Sequence, residues 1–137
     1  MKSRIMKTPN EKIIIYGFDP EKTEKFRQVA MRMKTELEIL PPESAGEQVG
    51  YLAGFGGFSP KDRANVSSDS RQCVIFSCMD GKKLSRTVDD MRSNGLGGIP
   101  LKAAVTPINQ KMTLSELMDE LEKEHRIMHK GEENGNV

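Results

Sequence analysis

The chain has 137 residues, of which 36% are hydrophobic and 30% charged, with a formal net charge of +1. That length suits one domain that buries enough surface to fold without metal or disulfide, and the near-neutral charge excludes the broad basic footprint of a nucleic-acid binder. No stretch approaches the ~20 apolar residues of a membrane span, and the only two cysteines, Cys73 and Cys78, point to a reducing compartment.

Residues 1–11 are polar and basic, without the apolar run of a signal peptide, so the expected location is the cytoplasm. They read as a loose tail, as do residues 130–137, which leaves a single domain over 12–129. "KIIIYGF" (12–18) is a continuous apolar run closed by a turn signal, which suits a strand covered on both faces. Asp19-Pro20-Glu21 reads as a helix start, with an Asp cap and proline at the first helical position. Phe26, Val29, Ala30 and Met33 give that helix one apolar face, and "LEIL" (37–40) is a short strand stopped by Pro41-Pro42. "ESAGEQVGYLAG" suits a short helix capped by Ser44, with Val49, Leu52 and Ala53 inward.

The second half repeats this order. "CVIFSC" (73–78) is an apolar strand, Asp80 caps a helix with Leu84, Val88 and Met91 inward, and Asn94-Gly95 stops it. "LKAAV" (101–105) is the fourth strand. Aligning the halves sets Asp19 on Asp80, Lys22 on Lys83 and, after a four-residue insertion, Pro42 on Pro107; an internal duplication and convergent use of one solution both account for this. Thr113-Leu114-Ser115-Glu116 is a capping box, followed by a helix with Leu114, Leu117, Met118, Leu121, His125 and Met128 on one side. The alternation predicts a single α/β domain with a four-stranded, mostly parallel sheet and packed helices. A ferredoxin-like α+β sheet with an extra C-terminal helix is the alternative.

"VIFSCMDGKKLSRTVDDMR" and "IPLKAAVTPINQKMTLSELMDELEKEH", with the proline pair and "GYLAGFGGF" upstream, resemble a family of short bacterial proteins known as DUF3783, a domain of unknown function. The resemblance runs from about Ile13 to His125, and its specific part covers residues 74–125. Met112 stands where some members carry tryptophan, which removes any aromatic role at that position. The resemblance implies no activity, substrate, cofactor or catalytic residue.

Two places could hold a site. With strand order 2-1-3-4 and parallel strands, a crevice would open beyond the carboxyl ends of the first and third strands. Gly17, Phe18, Asp19, Ser77, Met79, Asp80 and Gly81 would line it, with Thr106 and Asn109 at the neighbouring edge. The two aspartates suit Mg²⁺ or a ribose hydroxyl, although helix capping explains both. Gly81, Lys82 and Lys83 could receive an anion at a helix N-terminus, against the plainer reading of solvated lysines. The second place is "GYLAGFGGF" (50–58), where Tyr51, Gly54, Phe55, Gly56, Gly57 and Phe58 could form a docking loop or lid. It lacks the strand, helix and Gly-Lys-Ser/Thr ending of a phosphate loop, and its plainer reading is a corner with aromatics tucked inward. Lys102 should point away from Leu101 and Ala103. His125 and His129 have a zinc-compatible spacing without an evident third ligand, so no metal is expected, and no cofactor either. No nucleophile–base spacing stands out, which leaves catalysis open. The reading is a non-enzymatic interaction or regulatory module; the alternative is a small-molecule or anion binder, or an enzyme, with its pocket at the strand ends. The partner would be a protein or small molecule, with a homodimer compatible and neither nucleic acid nor membrane expected.

Overall fold

In a computed structural model, residues 11–60 and 69–135 are described, with side chains through Met128. The elements in chain order are β1 (Lys12–Tyr16), α1 (Pro20–Arg32), β2 (Glu36–Leu40), a 3-10 turn (Pro42–Gly46), α2 (Val49–Leu52), β3 (Cys73–Ser77), α3 (Gly81–Ser93), β4 (Lys102–Ala104), a second 3-10 turn (Asn109–Lys111) and α4 (Leu114–Gly135). The strands form one four-stranded sheet in the order β2-β1-β3-β4.

The predicted α/β class and strand order hold. Two of the three pairings are parallel, β1 with β2 and β3 with β4, while the central pair β1–β3 is antiparallel. Both apolar runs are indeed walled in on two sides. Ile13, Ile15, Val74 and Phe76 pack with Phe26, Val29 and Met91 from α1 and α3. Ile14, Tyr16, Cys73 and Ile75 pack with Val49, Leu52, Leu114, Leu117 and Met118 from α2 and α4. Burial on both faces is blind to chain direction, which is why parallel alignment of β1 and β3 did not follow from it.

Direction is decided by the connection. A parallel β1–β3 pair needs a crossover that carries the chain back along the sheet. The expected crossover helix exists only as the 3-10 turn and the four-residue α2, and one such turn spans about 6 Å against the ~16 Å of a five-residue strand. The end of β2 and the start of β3 accordingly both lie beside Tyr16, at the end of β1. Tyr16 shows this directly: its hydroxyl donates to the Pro42 carbonyl (2.7 Å) and accepts from the Asp69 amide (3.0 Å), so the exit from β2 and the entry to β3 meet there.

An antiparallel central pair flanked by two parallel β-α-β units gives approximate two-fold symmetry. Both α1 and α3 have 13 residues, and Asp19 and Asp80 each accept the amide three residues on, from Lys22 and Lys83, at 2.8 Å. The turn before each cap holds one residue at positive φ, Gly17 at 86° and Cys78 at 61°. Beyond β2 and β4 the two arms hold each other through an isolated bridge between Gln48 and Thr113. Val49 donates to Met112 and Leu114 donates to Glu47, both at 2.9 Å. On the opposite face Arg32 of α1 reaches Asp90 of α3 (2.9 Å).

Local chemistry explains the ends. The α4 capping box forms as expected: Thr113 N–H donates to Glu116 Oε1 (2.9 Å) and Glu116 N–H donates to Thr113 Oγ1 (3.1 Å). Ser44 is not the cap expected for the middle helix. It lies inside the 3-10 turn with its hydroxyl buried, and Gln48 precedes α2 without a side-chain cap bond.

Candidate functional site

The antiparallel centre separates the residues of the expected crevice. Tyr16 lies opposite Cys73 and Lys12 opposite Ser77, so the carboxyl ends of β1 and β3 are at opposite ends of the sheet. Gly17, Phe18 and Asp19 are at one end, while Ser77, Met79, Asp80 and Gly81 are at the other. Asp19 and Asp80 therefore share no ion or ribose, and each is bound to its own helix.

The remaining strand-end residues have structural partners. Thr106 and Asn109 clasp each other, with Thr106 N–H on Asn109 Oδ1 (2.8 Å) and Asn109 N–H on Thr106 Oγ1 (3.0 Å). The Asn109 amide also donates to Ala104 O (2.9 Å), which ties the turn to β4. Lys83 reaches Glu11 at 2.7 Å. Cys73 and Cys78 form no disulfide, and burial pushes the Cys73 thiol up to about 12, far from a thiolate at neutral pH. Among the described residues no group of three or more His, Cys, Asp or Glu could hold a metal.

The glycine–aromatic segment takes a definite shape. A Cβ on Gly50 would meet the Phe58 ring at 2.4 Å, so glycine inside α2 makes room for an aromatic that folds back over it. Gly54 follows α2 at φ 85°, and Phe55 N–H returns to Gly50 O at 2.9 Å. Tyr51, Phe55 and Phe58 are each half-buried, while Gly56 and Gly57 are exposed. Tyr51 and Phe55 lie against the α2/α4 core.

Beside this segment lies a cavity of about 360 Å³, lined by Lys12, Glu38, Leu40, Pro41, Ser44, Tyr51, Leu52 and Gly54. Glu38 and Leu40 belong to β2, whose outer edge pairs with no strand among the described residues. Lys12 and Glu38 bridge across the β1–β2 pair at 2.8 Å. Ser44 is 1% exposed and its Oγ has no hydrogen-bond partner among the described residues. Such an orphan hydroxyl is costly unless a ligand or water meets it. A neighbouring cavity of about 220 Å³ lies at the carboxyl ends of β1 and β2, lined by Tyr16, Gly17, Phe18, Leu40, Pro42 and Asp69.

Asp69 and Arg71, which sequence reasoning missed, brace this end. Arg71 holds Asp69 through two bonds (2.9 and 2.6 Å) and reaches Asp119 (2.8 Å) and Glu122 (3.2 Å) on α4. The Ser115 hydroxyl donates to Asp69 Oδ2 (3.2 Å). The guanidinium holds the Asp69 carboxyl down at about 2, outweighing the opposing effect of burial, and the carboxylates raise Arg71 in turn. The only local hint in sequence was an Asp-x-Arg spacing in a polar stretch.

Fold and site together define a three-layer α/β module: two β-α-β halves, joined back to back, with an open sheet edge beside a half-polar cavity. Residues 72–128 match the model of the family described as Domain of unknown function (DUF3783), and over those residues the chain is similar to that family. The match begins just before β3 and ends within α4, so it covers the second half of the symmetric pair; the resemblance expected from Ile13 onward is matched only from residue 72. No curated protein and no solved structure matches the chain. No helix among the described residues is long and apolar enough to cross a membrane.

Proposed function

We propose that the protein is a non-enzymatic interaction module that takes an extended, basic segment of a partner protein along the outer edge of β2, with the Tyr51–Phe58 segment beside it. The observation that carries this reading is the cavity of about 360 Å³ lined by residues of that open edge. In strand addition, edge amides and carbonyls supply the binding bonds, and a pocket below the edge receives alternate side chains. Ser44 Oγ offers an unused polar contact there.

Charge favours a basic segment over a second copy of the chain. An antiparallel β2–β2 pair centred on Glu38 would set two like charges opposite each other, which is destabilising. A basic partner instead complements the exposed Glu36, while Glu38 is bridged to Lys12. The test is fluorescence anisotropy on the full chain with extended peptides of one apolar pattern, carrying either Lys or Glu at alternate positions. Basic peptides should bind tighter than about 100 μM, acidic ones more weakly, and Glu36→Lys should reverse the order. Equal binding of both sets, or indifference to Glu36→Lys, rejects the reading.

A second reading, a small polar ligand in the same cavity, is favoured by the Ser44 hydroxyl. A thermal-shift screen should then find a stabilising compound whose effect disappears in Ser44→Ala.

A further inference from the structure

The other edge of the sheet carries a different kind of cavity. The loop between α3 and β4, "NGLGGIP" (94–100), is pinned by Leu96 and Ile99, both buried in the α1/α3 core. Gly97 and Gly98 are exposed between these anchors. Together with Ile99, Pro100, Lys102 and His125 they line a concavity of about 380 Å³, within the size range of small-ligand pockets. His125 comes from α4, so this wall is built by a helix that packs on the opposite face of the sheet from the α3 loop.

Lys102 is the unusual member. Its register opposite Val74 puts it on the α1/α3 face, half-buried, as its alternation with Leu101 and Ala103 predicts. Its ammonium donates to the Ile99 carbonyl, and among the described residues no carboxylate forms a salt bridge with it. Burial lowers its pKa, and the Arg92 guanidinium lowers it further. Arg92 lies along the same loop, where a Cβ on Gly97 would meet its Cγ at 3.1 Å, and its own carboxylate partner is the exposed Asp89. The amides of Gly97 and Gly98 donate to no protein acceptor among the described residues. A half-buried cation that meets one neutral carbonyl and a second cation has two ammonium hydrogens left for an acceptor.

We propose that this cavity is an anion site that takes a phosphate group on Lys102 Nζ, with the Gly97 and Gly98 amides as further donors and His125 on the facing wall. A phosphate oxygen would supply the charge-assisted bond that the ammonium lacks. Glycine at 98 permits this approach, since even a Cβ there would meet only open space, while Gly97 leaves room for the Arg92 side chain beside it.

The experiment is a titration of the full chain with inorganic phosphate at constant ionic strength, followed by amide NMR, with chloride as the control. Saturable shifts are expected at Gly97, Gly98 and Lys102, with no such response to chloride. Lys102→Met should weaken phosphate binding at least tenfold, whereas Lys102→Arg should keep it within a few-fold. Thermal unfolding of each variant without phosphate establishes that the comparison is between folded proteins. Non-saturable shifts, an equal response to chloride, or undiminished binding in a folded Lys102→Met variant would overturn the assignment.

Discussion

Ile14 and Ile75 face each other at the middle of the antiparallel β1–β3 pair, and the offset that sets Asp19 on Asp80 also sets Ile14 on Ile75. A residue that pairs with its own counterpart marks a two-fold axis, the relation found at the centre of an isologous dimer. Here the axis lies within one chain. Each isoleucine is 1% exposed, and both lie in the core beneath α2 and α4.

Truncation at the axis should therefore be severe and nearly symmetrical. Ile14→Ala and Ile75→Ala should each lower stability by roughly 2–5 kcal/mol. Because the side chains share one core, the double variant should depart from additivity. Urea unfolding of the three variants measures both effects. A loss below about 1 kcal/mol at either position would contradict close packing at the axis.

The aspartate caps give the converse expectation. Asp19 and Asp80 lie at opposite ends of the sheet, each bonded to one amide of its own helix. Asp19→Ala and Asp80→Ala should each cost about 1 kcal/mol, and their costs should add because the sites are remote. Denaturant midpoints of the single and double variants check this. Strong coupling between them would mean that the two aspartates share something the geometry denies them.

Gly50 tests the shape of the glycine–aromatic segment. By helix propensity alone, Gly50→Ala should stabilise α2 by roughly 0.5–1 kcal/mol. The Phe58 ring, 2.4 Å from the position a Cβ would take, reverses that sign, and overpacking of this kind typically costs about 1–3 kcal/mol. The double variant Gly50→Ala/Phe58→Ala should show a smaller penalty for the alanine at 50 than the single variant shows. Chemical denaturation with and without Phe58 provides the comparison, and a stabilising Gly50→Ala would place the ring elsewhere.

These contrasts show where the sequence was informative. Caps, strands and the α4 capping box were readable because each depends on residues a few positions apart, and such spacings are visible in one dimension. The two-sided burial of β1 and β3 was equally visible in their unbroken apolar runs. Their relative direction was hidden because Ile13–Tyr16 and Cys73–Ser77 fill the same two layers whichever way they run. The role of Gly50 was hidden for a related reason: glycine density signals a bend, whereas this glycine makes way for a ring eight positions later. Ser44 looked like a cap because its residue type favours caps; it is instead buried beside a cavity that it lines together with the β2 edge and Tyr51, residues that only the folded chain brings together. Lys102 was correctly placed on its face, but its lack of a carboxylate partner among the described residues is a property of the surrounding surface.

Asp69 provides the pH dependence that follows from the brace at the end of β1. Its carboxyl is lowered from the ordinary 3.8 to about 2, chiefly by its hydrogen bonds with Arg71, and its side chain is only 10% exposed. A depressed carboxylate pKa contributes stability that is complete above the unfolded value and disappears as pH falls through the folded one. The contribution should thus be full above about pH 5, decline below pH 4 and be absent near pH 1. The shift corresponds to about 2 kcal/mol. Asp69→Asn removes the titrating group while keeping the side-chain size, so its stability should lie below that of the parent protein at neutral pH, with the gap narrowing as the solution is acidified from pH 5 to pH 2. Urea midpoints measured across that range test the expectation. A gap that stays constant with pH would show that Asp69 contributes through shape rather than through its charge on Arg71.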